Sequence, residues 1–177
     1  MSSDAELLGR AQALVAKYAP VDVELIGRTG IEELGAAHVV LVDCRTAAER
    51  AVSVIPHAIS RDEFERTRGA EAALAAKQTV VPYCTVGMRS GSYARQLISE
   101  YADRGLAVKN GEGVLLWSIE GGKLEGPDGA ETLRLHTFGP EFRVVRLEIE
   151  AVQFAGRGAG GLIEIAREGI ARLFGGR

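Results

Sequence analysis

Two short apolar runs, Val39-Val40-Leu41-Val42 and Thr79-Val80-Val81-Pro82-Tyr83, stand between stretches patterned for helix, and this interleaving limits the architecture more than any other feature. Runs of four or five residues, Val-rich and apolar without alternation, read as strands buried on both faces. Ala107-Val108-Lys109 is a third candidate strand and Ala58-Ile59 a short fourth. Ala47 to Val52, Asp62 to Ala76 and Ser90 to Arg104 read as helices, the second broken at Gly69. Strands separated by helices predict an α/β fold whose parallel sheet is covered by helices on both faces. In such sheets ligands bind beyond the carboxyl ends of the strands. Asp43-Cys44-Arg45 and Cys84 both fall directly after a strand, so the expected site lies there.

The flanks read differently. Leu7, Leu8, Ala11, Leu14, Val15 and Tyr18 recur at helical spacing, and Pro20 ends that helix, giving an N-terminal unit over residues 1–20. The α/β domain is expected over 21–126, because Gly121-Gly122 and Gly126-Pro127-Asp128-Gly129 punctuate the chain there. Residues 127–177 form a C-terminal extension. Within it, Leu133 to Phe138 precedes Val145 to Ala151, whose period-2 alternation predicts a strand, with a helix through Phe154 as the alternative. Gly156 to Gly161 reads as a joint and Leu162 to Phe174 as an amphipathic helix, packed on its own domain or serving homo-oligomer formation. Gly156, Gly158 and Gly161 spell G-x-G-x-x-G, but the chain ends at Arg177, before the returning strand and acidic residue that dinucleotide binding needs.

Composition removes several function classes. A net charge of −3 and a pI near 5.7 leave no basic footprint for nucleic acid or an anionic membrane. No apolar run approaches the roughly 18 residues of a spanning helix. The acidic start, Met1 to Glu6, fits neither a secretory signal nor a transit peptide. Two cysteines make no disulfide framework and suit the reducing cytoplasm. His38, His57 and His136 lack metal-site spacing and there is no Cys-x-x-Cys, so neither a metal nor a cofactor is expected.

The chemistry therefore falls to the cysteines. A free thiol titrates near about 8.5 and needs backbone N–H groups, a helix N-terminus or a cation to ionise at neutral pH. The segment Pro82-Tyr83-Cys84-Thr85-Val86-Gly87-Met88-Arg89-Ser90-Gly91 can supply all three. A strand delivers Cys84, the amides of Thr85 to Met88 curl towards its sulfur, and Gly87 relieves the turn. Ser90 is expected to cap the following helix. Arg89 is the loop's fixed positive charge, available to an anionic donor or to the sulfur anion. Asp43 is expected to bond loop amides, and Arg45 to pair with a carboxylate such as Glu49. Cys44 is either a small buried side chain or a resolving thiol for Cys84.

From about Val23 to Glu125 the chain resembles the rhodanese-like domain, the fold shared by sulfurtransferases and certain dual-specificity phosphatases. Val40-Leu41-Val42-Asp43-Cys44-Arg45 is similar to the family's apolar strand ending in Asp-x-Arg, and Glu49 to a Glu a few residues later. Ile55-Pro56-His57-Ala58-Ile59 resembles its Ile-Pro-Gly-Ala segment, with His57 where Gly is usual. Cys84 to Arg89 resembles the active-site loop, and Asn110-Gly111-Glu112 through Trp117 the closing glycine-and-tryptophan segment.

The resemblance implies a single-domain sulfurtransferase in which Cys84 is the nucleophile and carries a persulfide, supported by Arg89 and the loop. It implies a small donor such as thiosulfate or a persulfide, and a thiophilic acceptor that can be a protein. The rival readings are a redox-sensing or non-catalytic interaction module and, third, a phosphatase or arsenate reductase. Only four residues separate Cys84 from Arg89, against five in the phosphatase pattern, which disfavours the third.

Overall fold

The structure is a computed structural model and describes residues 4–154. Helix α1 (Asp4–Tyr18) buries Leu7, Ala11, Leu14 and Val15, the spacing of one helical stripe, and stops ahead of Pro20. Strand β1 (Leu25–Ile26) and helix α2 (Arg28–Leu34) lead to β2 (Val39–Asp43). Helix α3 (Ala47–Arg50), β3 (Ile59–Ser60), α4 (Arg61–Arg66) and α5 (Gly69–Ala75) precede β4 (Thr79–Tyr83). Helix α6 (Met88–Glu100), β5 (Asn110–Gly111) and α7 (Val114–Ile119) complete the region of the expected domain. The extension adds β6 (Arg134–His136) and β7 (Glu150–Val152).

Strand β2 lies between β3 and β4, parallel to both. Beyond β4 the sheet continues through hydrogen bonds from Val80 to Ala107 and from Lys109 to Val80, then through β5 to β1. The strand expected at Ala107-Val108-Lys109 is thus only the bridge of Val108 to Val80, and regular pairing begins at Asn110. Successive residues of a strand face opposite sides. Accordingly Leu41 and Tyr83 pack with α1 and α7, whereas Val42 and Val80 pack with Phe64, Ala73, Tyr93 and Leu97 of α4, α5 and α6. Helices cover both faces, as the strand pattern required. Each fully buried side chain such as Leu115 or Phe64 contributes about 1.5–3 kcal/mol.

The break at Gly69 has a steric cause. Arg68 is left-handed (φ 54°), and a Cβ on Gly69 would lie 2.3 Å from the Phe64 ring. A side chain at position 69 would therefore displace Phe64, which is buried in the cluster with Val42, Tyr93 and Leu97.

The extension does not hang free between residues 127 and 154. Leu135, Phe142 and Val144 are buried in the cluster formed by α1 and α7. The Tyr18 and Phe142 rings lie 5.5 Å apart, and Lys17 and Tyr18 both donate to Glu141, at 2.6 and 2.8 Å. Strand β6 pairs with β7 in parallel, Leu135 opposite Ala151. The strand predicted over Val145 to Ala151 is shorter than its alternation suggests. Ile149 donates to the Arg146 carbonyl at 3.0 Å, closing a turn, and Leu147 faces solvent, so no sheet face receives the alternating residues until Glu150. The predicted glycine joint and the helix Leu162 to Phe174 lie outside the described residues. Among the described residues no helix is long and apolar enough to cross a membrane.

Candidate active site

Strands β2 and β4 end together and release the two cysteine-bearing segments side by side. After β2, Asp43 is fully buried and accepts from its near neighbour Arg45 through Nη2 at 2.6 Å, Nε at 3.0 Å and the backbone amide at 3.0 Å. Tyr83 donates its hydroxyl to the same carboxylate at 2.8 Å and accepts from the Ile55 amide at 3.2 Å. Arg45 also donates to the Ser53 carbonyl at 2.7 Å. The expected partner of Arg45 was Glu49; the partner found is Asp43. Two residues apart at a strand end, Asp43 and Arg45 reach one another without crossing the turn that leads to Glu49. The group pins β2, β4 and the 53–55 segment beneath the site. His57 stands in the adjacent turn with φ 64°, a left-handed backbone that costs about 1–3 kcal/mol in a non-glycine residue.

Glu49 instead faces the loop. It is only 1% exposed and belongs to a capping box at α3: its carboxylate accepts from the Thr46 amide at 3.0 Å while Thr46 Oγ1 accepts from the Glu49 amide. The same carboxylate takes both arms of Arg89, Nη1 and Nη2, at 2.8 Å each. The ring of His136, from β6, lies 3.5 Å from Glu49 Oε1 through Nδ1, and Phe138 lies 5.9 Å from the Arg89 guanidinium. Burial opposes the charge on Glu49, but Arg89, His136 and the Thr46 amide hold the carboxyl well below the usual range. Arg89 is therefore held rather than free to receive an anionic donor, as the sequence alone had suggested.

The loop itself is walled in. Cys84 is 1% exposed, Thr85 and Val86 are buried, and Met88 and Arg89 are half-buried. The first amides of α7 hold the loop backbone, Val114 donating to Cys84 at 2.9 Å and Leu115 to Thr85 at 3.2 Å. Gly87 adopts φ 82°, and a Cβ there would approach Ala19 Cβ to 3.0 Å. Helix α6 starts at Met88 with Gly87 as its N-cap, three residues ahead of the start that a Ser90 cap implies. Ser90 is not the cap; it is buried in the first turn, where its hydroxyl donates to Asn110 Oδ1 at 2.7 Å. Asn110 Nδ2 in turn donates to the Gly87 carbonyl at 2.9 Å. Asn110 thus braces the back of the loop.

Burial pushes the Cys84 thiol up, but the Arg89 guanidinium and the amides of Ser90 and Val86 outweigh it, leaving the thiol below its ordinary value. The Val86 amide lies ahead of α6 and the Ser90 amide in its first turn, where the N–H groups have no intrahelical carbonyl to bond. Cys44 responds in the opposite direction, raised first by burial and then by the negative charge of Cys84. Both cysteines are free. Among the described residues no cluster of His, Cys, Asp or Glu is arranged to hold a metal.

The structure thus brings together Cys84, Thr85, Val86, Gly87, Met88, Arg89 and Ser90, with Asp43 and Arg45 as the scaffold below. Sequence reasoning missed His136, Phe138 and Asn110. The Asn110-Gly111 pair was a visible signal, whereas nothing near His136 pointed to Glu49.

A parallel sheet with helices on both faces, and a cysteine cradled between a strand end and a helix start, define an α/β protein with a cysteine-bearing loop beyond its sheet. Residues 30–122 match the family model of the rhodanese-like domain, and the chain belongs to that family. Similar solved structures include the BH2092 protein from Bacillus halodurans, at 24% identity and a TM-score of 0.44, covering 62% of this chain and 82% of that one. A thiosulfate sulfurtransferase from Pseudomonas aeruginosa is 21% identical with a TM-score of 0.48, covering 73% of this chain but 24% of that one. A protein from Lactobacillus plantarum is 18% identical with a TM-score of 0.42, covering 70% and 99% of the two chains. No curated protein matches significantly.

Proposed function

We propose that this chain is a sulfurtransferase that carries sulfane sulfur as a persulfide on Cys84. One observation carries the reading: the Cys84 thiol is lowered, although buried, by Arg89 and by the amides of Ser90 and Val86. A thiolate favoured by fixed donors needs no general base. With thiosulfate, Cys84–S⁻ attacks the outer sulfur, the S–S bond of the donor breaks, and sulfite leaves as Cys84–S–S⁻ forms. The terminal sulfur bears the same charge as the thiolate it replaces, so the amides that stabilise one also serve the other. An acceptor thiolate then takes the outer sulfur and restores Cys84–S⁻. Because Arg89 is paired with Glu49, the donor's charge is met by amide dipoles rather than by a free guanidinium, which favours small donors.

The acceptor is a thiol, free or on a sulfur-accepting protein. Cys44 and Arg89, both half-buried, are the charged or ionisable neighbours that an approaching thiol would meet beside the buried sulfur. The test is to incubate reduced protein with thiosulfate, a mercaptan donor and glutathione persulfide, then weigh the Cys84 peptide. One added sulfur, absent in Cys84→Ser, is the expected result. A peptide unchanged by all three donors would replace this reading with the interaction module.

A further inference from the structure

The last ladder pair between β2 and β4 joins Asp43 to Tyr83, and the Cys44 amide donates to the Tyr83 carbonyl at 2.9 Å. The slanted bonds of a parallel ladder run from a residue's N–H to the carbonyl one place before its partner. Cys44 therefore stands opposite Cys84. Adjacent strands lie about 4.8 Å apart, inside the Cα separation of about 4.4–6.8 Å that a disulfide spans. The two side chains are also near enough for the charge of Cys84 to act on the Cys44 thiol. Cys44 packs beside the cluster of Val42, Phe64 and Tyr93 and is only half-buried. The hydrogen bond its sulfur makes is a weak one, a 3.8 Å contact with the Val42 carbonyl.

Resting on the persulfide reading above, we propose that Cys44 is a resolving thiol that attacks the inner sulfur of the Cys84 persulfide, closes a Cys44–Cys84 disulfide and releases hydrosulfide. The step balances as Cys84–S–S⁻ plus Cys44–SH giving the disulfide plus HS⁻. The bond between the two sulfurs of the persulfide breaks, the Cys44–Cys84 bond forms, and the Cys44 proton leaves with the departing sulfur. The sulfane sulfur is reduced by two electrons and the cysteine pair is oxidised by two. An external dithiol, converted to its own disulfide, returns the pair to the reduced state. The chain then reduces sulfane sulfur to sulfide as well as passing it on. Burial and the Cys84 charge keep the proton on Cys44, and the arginines Arg61 and Arg89 act in the opposite direction.

The experiment is a single turnover without acceptor. Reduced full-length protein, freed of reductant, receives one equivalent of thiosulfate or, in a second arm, glutathione persulfide. Sulfide is trapped with bromobimane, and intact mass and peptides are recorded over time. Wild type should release about one sulfide per chain and yield a linked Cys44–Cys84 peptide. Cys44→Ser and Cys44→Ala, checked for folding by circular dichroism, should retain the extra sulfur at least about tenfold longer and release none. Equal persulfide lifetimes in wild type and both variants, with no linked peptide, overturn the resolving role while leaving Cys84 sulfur loading intact. If no protein gains sulfur or yields sulfide, the sulfurtransferase reading fails and this inference falls with it.

Discussion

Glu49 and Arg89, forty residues apart in sequence, face one another through two hydrogen bonds of 2.8 Å, with the acid nearly sealed from water. The pair ties the turn after β2 to the first turn of α6 and so fixes the loop between them. Glu49→Gln leaves a largely buried guanidinium without its counter-charge, and unfolding in urea should show a loss of about 3 kcal/mol. The sign of the pH effect follows from the depressed carboxyl. Its contribution is complete above the ordinary glutamate value of 4.5 and is lost as the pH falls below it. Wild-type stability should therefore decline on acidification from about pH 4.5, and the variant should lack that decline. His136→Ala removes one group holding the carboxylate, so its decline should begin at the same pH as in wild type but be smaller and level off at a higher pH.

The two thiols should separate by titration. Alkylation by a small reagent, followed peptide by peptide against pH, should give a lower midpoint for Cys84 than for Cys44. Arg89→Gln should move the Cys84 midpoint upward and leave Cys44 above it. A Cys84 midpoint that does not move would remove Arg89 from the account of the thiolate. Stability carries the same information. Cys84, being lowered, contributes stability that is present above the unfolded thiol value and lost as the pH falls through the folded one, and Cys84→Ser should abolish that segment of the curve.

Gly87→Ala places a side chain at φ 82° and against Ala19. The expected cost is about 1–3 kcal/mol of stability, together with slower sulfur loading, because the Ser90 amide follows from where α6 begins. Thermal melting and persulfide mass together check this. A variant that melts lower but loads sulfur at the wild-type rate would show that the loop tolerates the shift.

Phosphate chemistry should be absent. Four residues lie between Cys84 and Arg89, and each supplies an amide and sets the width of the cradle. A terminal sulfur needs a narrow ring of N–H donors, whereas a phosphoryl group needs room for three equatorial oxygens. Asp43, an acid near the loop, is fully committed to Arg45 and Tyr83 and offers no proton to a leaving group. No hydrolysis of aryl phosphates is expected. Vanadate-sensitive activity that disappears in Cys84→Ser would overturn the assignment.

What could be read beforehand follows the range of each interaction. Strands β2 and β4 announce themselves by continuous apolar runs, and the break at Gly69 by a residue that only a steric demand explains. The loop was legible because its parts are contiguous. The partner of Arg45 was not, because two carboxylates, Asp43 and Glu49, and two arginines, Arg45 and Arg50, lie within a few residues of one another, and only the turn geometry decides which meet. His136 and Phe138 were illegible for another reason. They reach Glu49 and Arg89 from an extension whose own pattern is weak, and pairings across about fifty to ninety residues leave no local periodicity. The alternation at Val145 to Ala151 misled because it describes a face that no neighbouring strand covers.

The contacts of Lys17 and Tyr18 with Glu141 span more than 120 residues, and they bring the two flanks together beside the site. Such contacts are the last a growing chain can make. At about 5–20 residues per second, the stretch from Cys84 to Phe138 takes roughly 3–11 s to synthesise. During that interval the thiol loop exists without His136 and Phe138. A newborn chain is therefore at its most vulnerable to oxidants before release from the ribosome, and cysteine damage should concentrate in stalled or truncated products rather than in the finished protein.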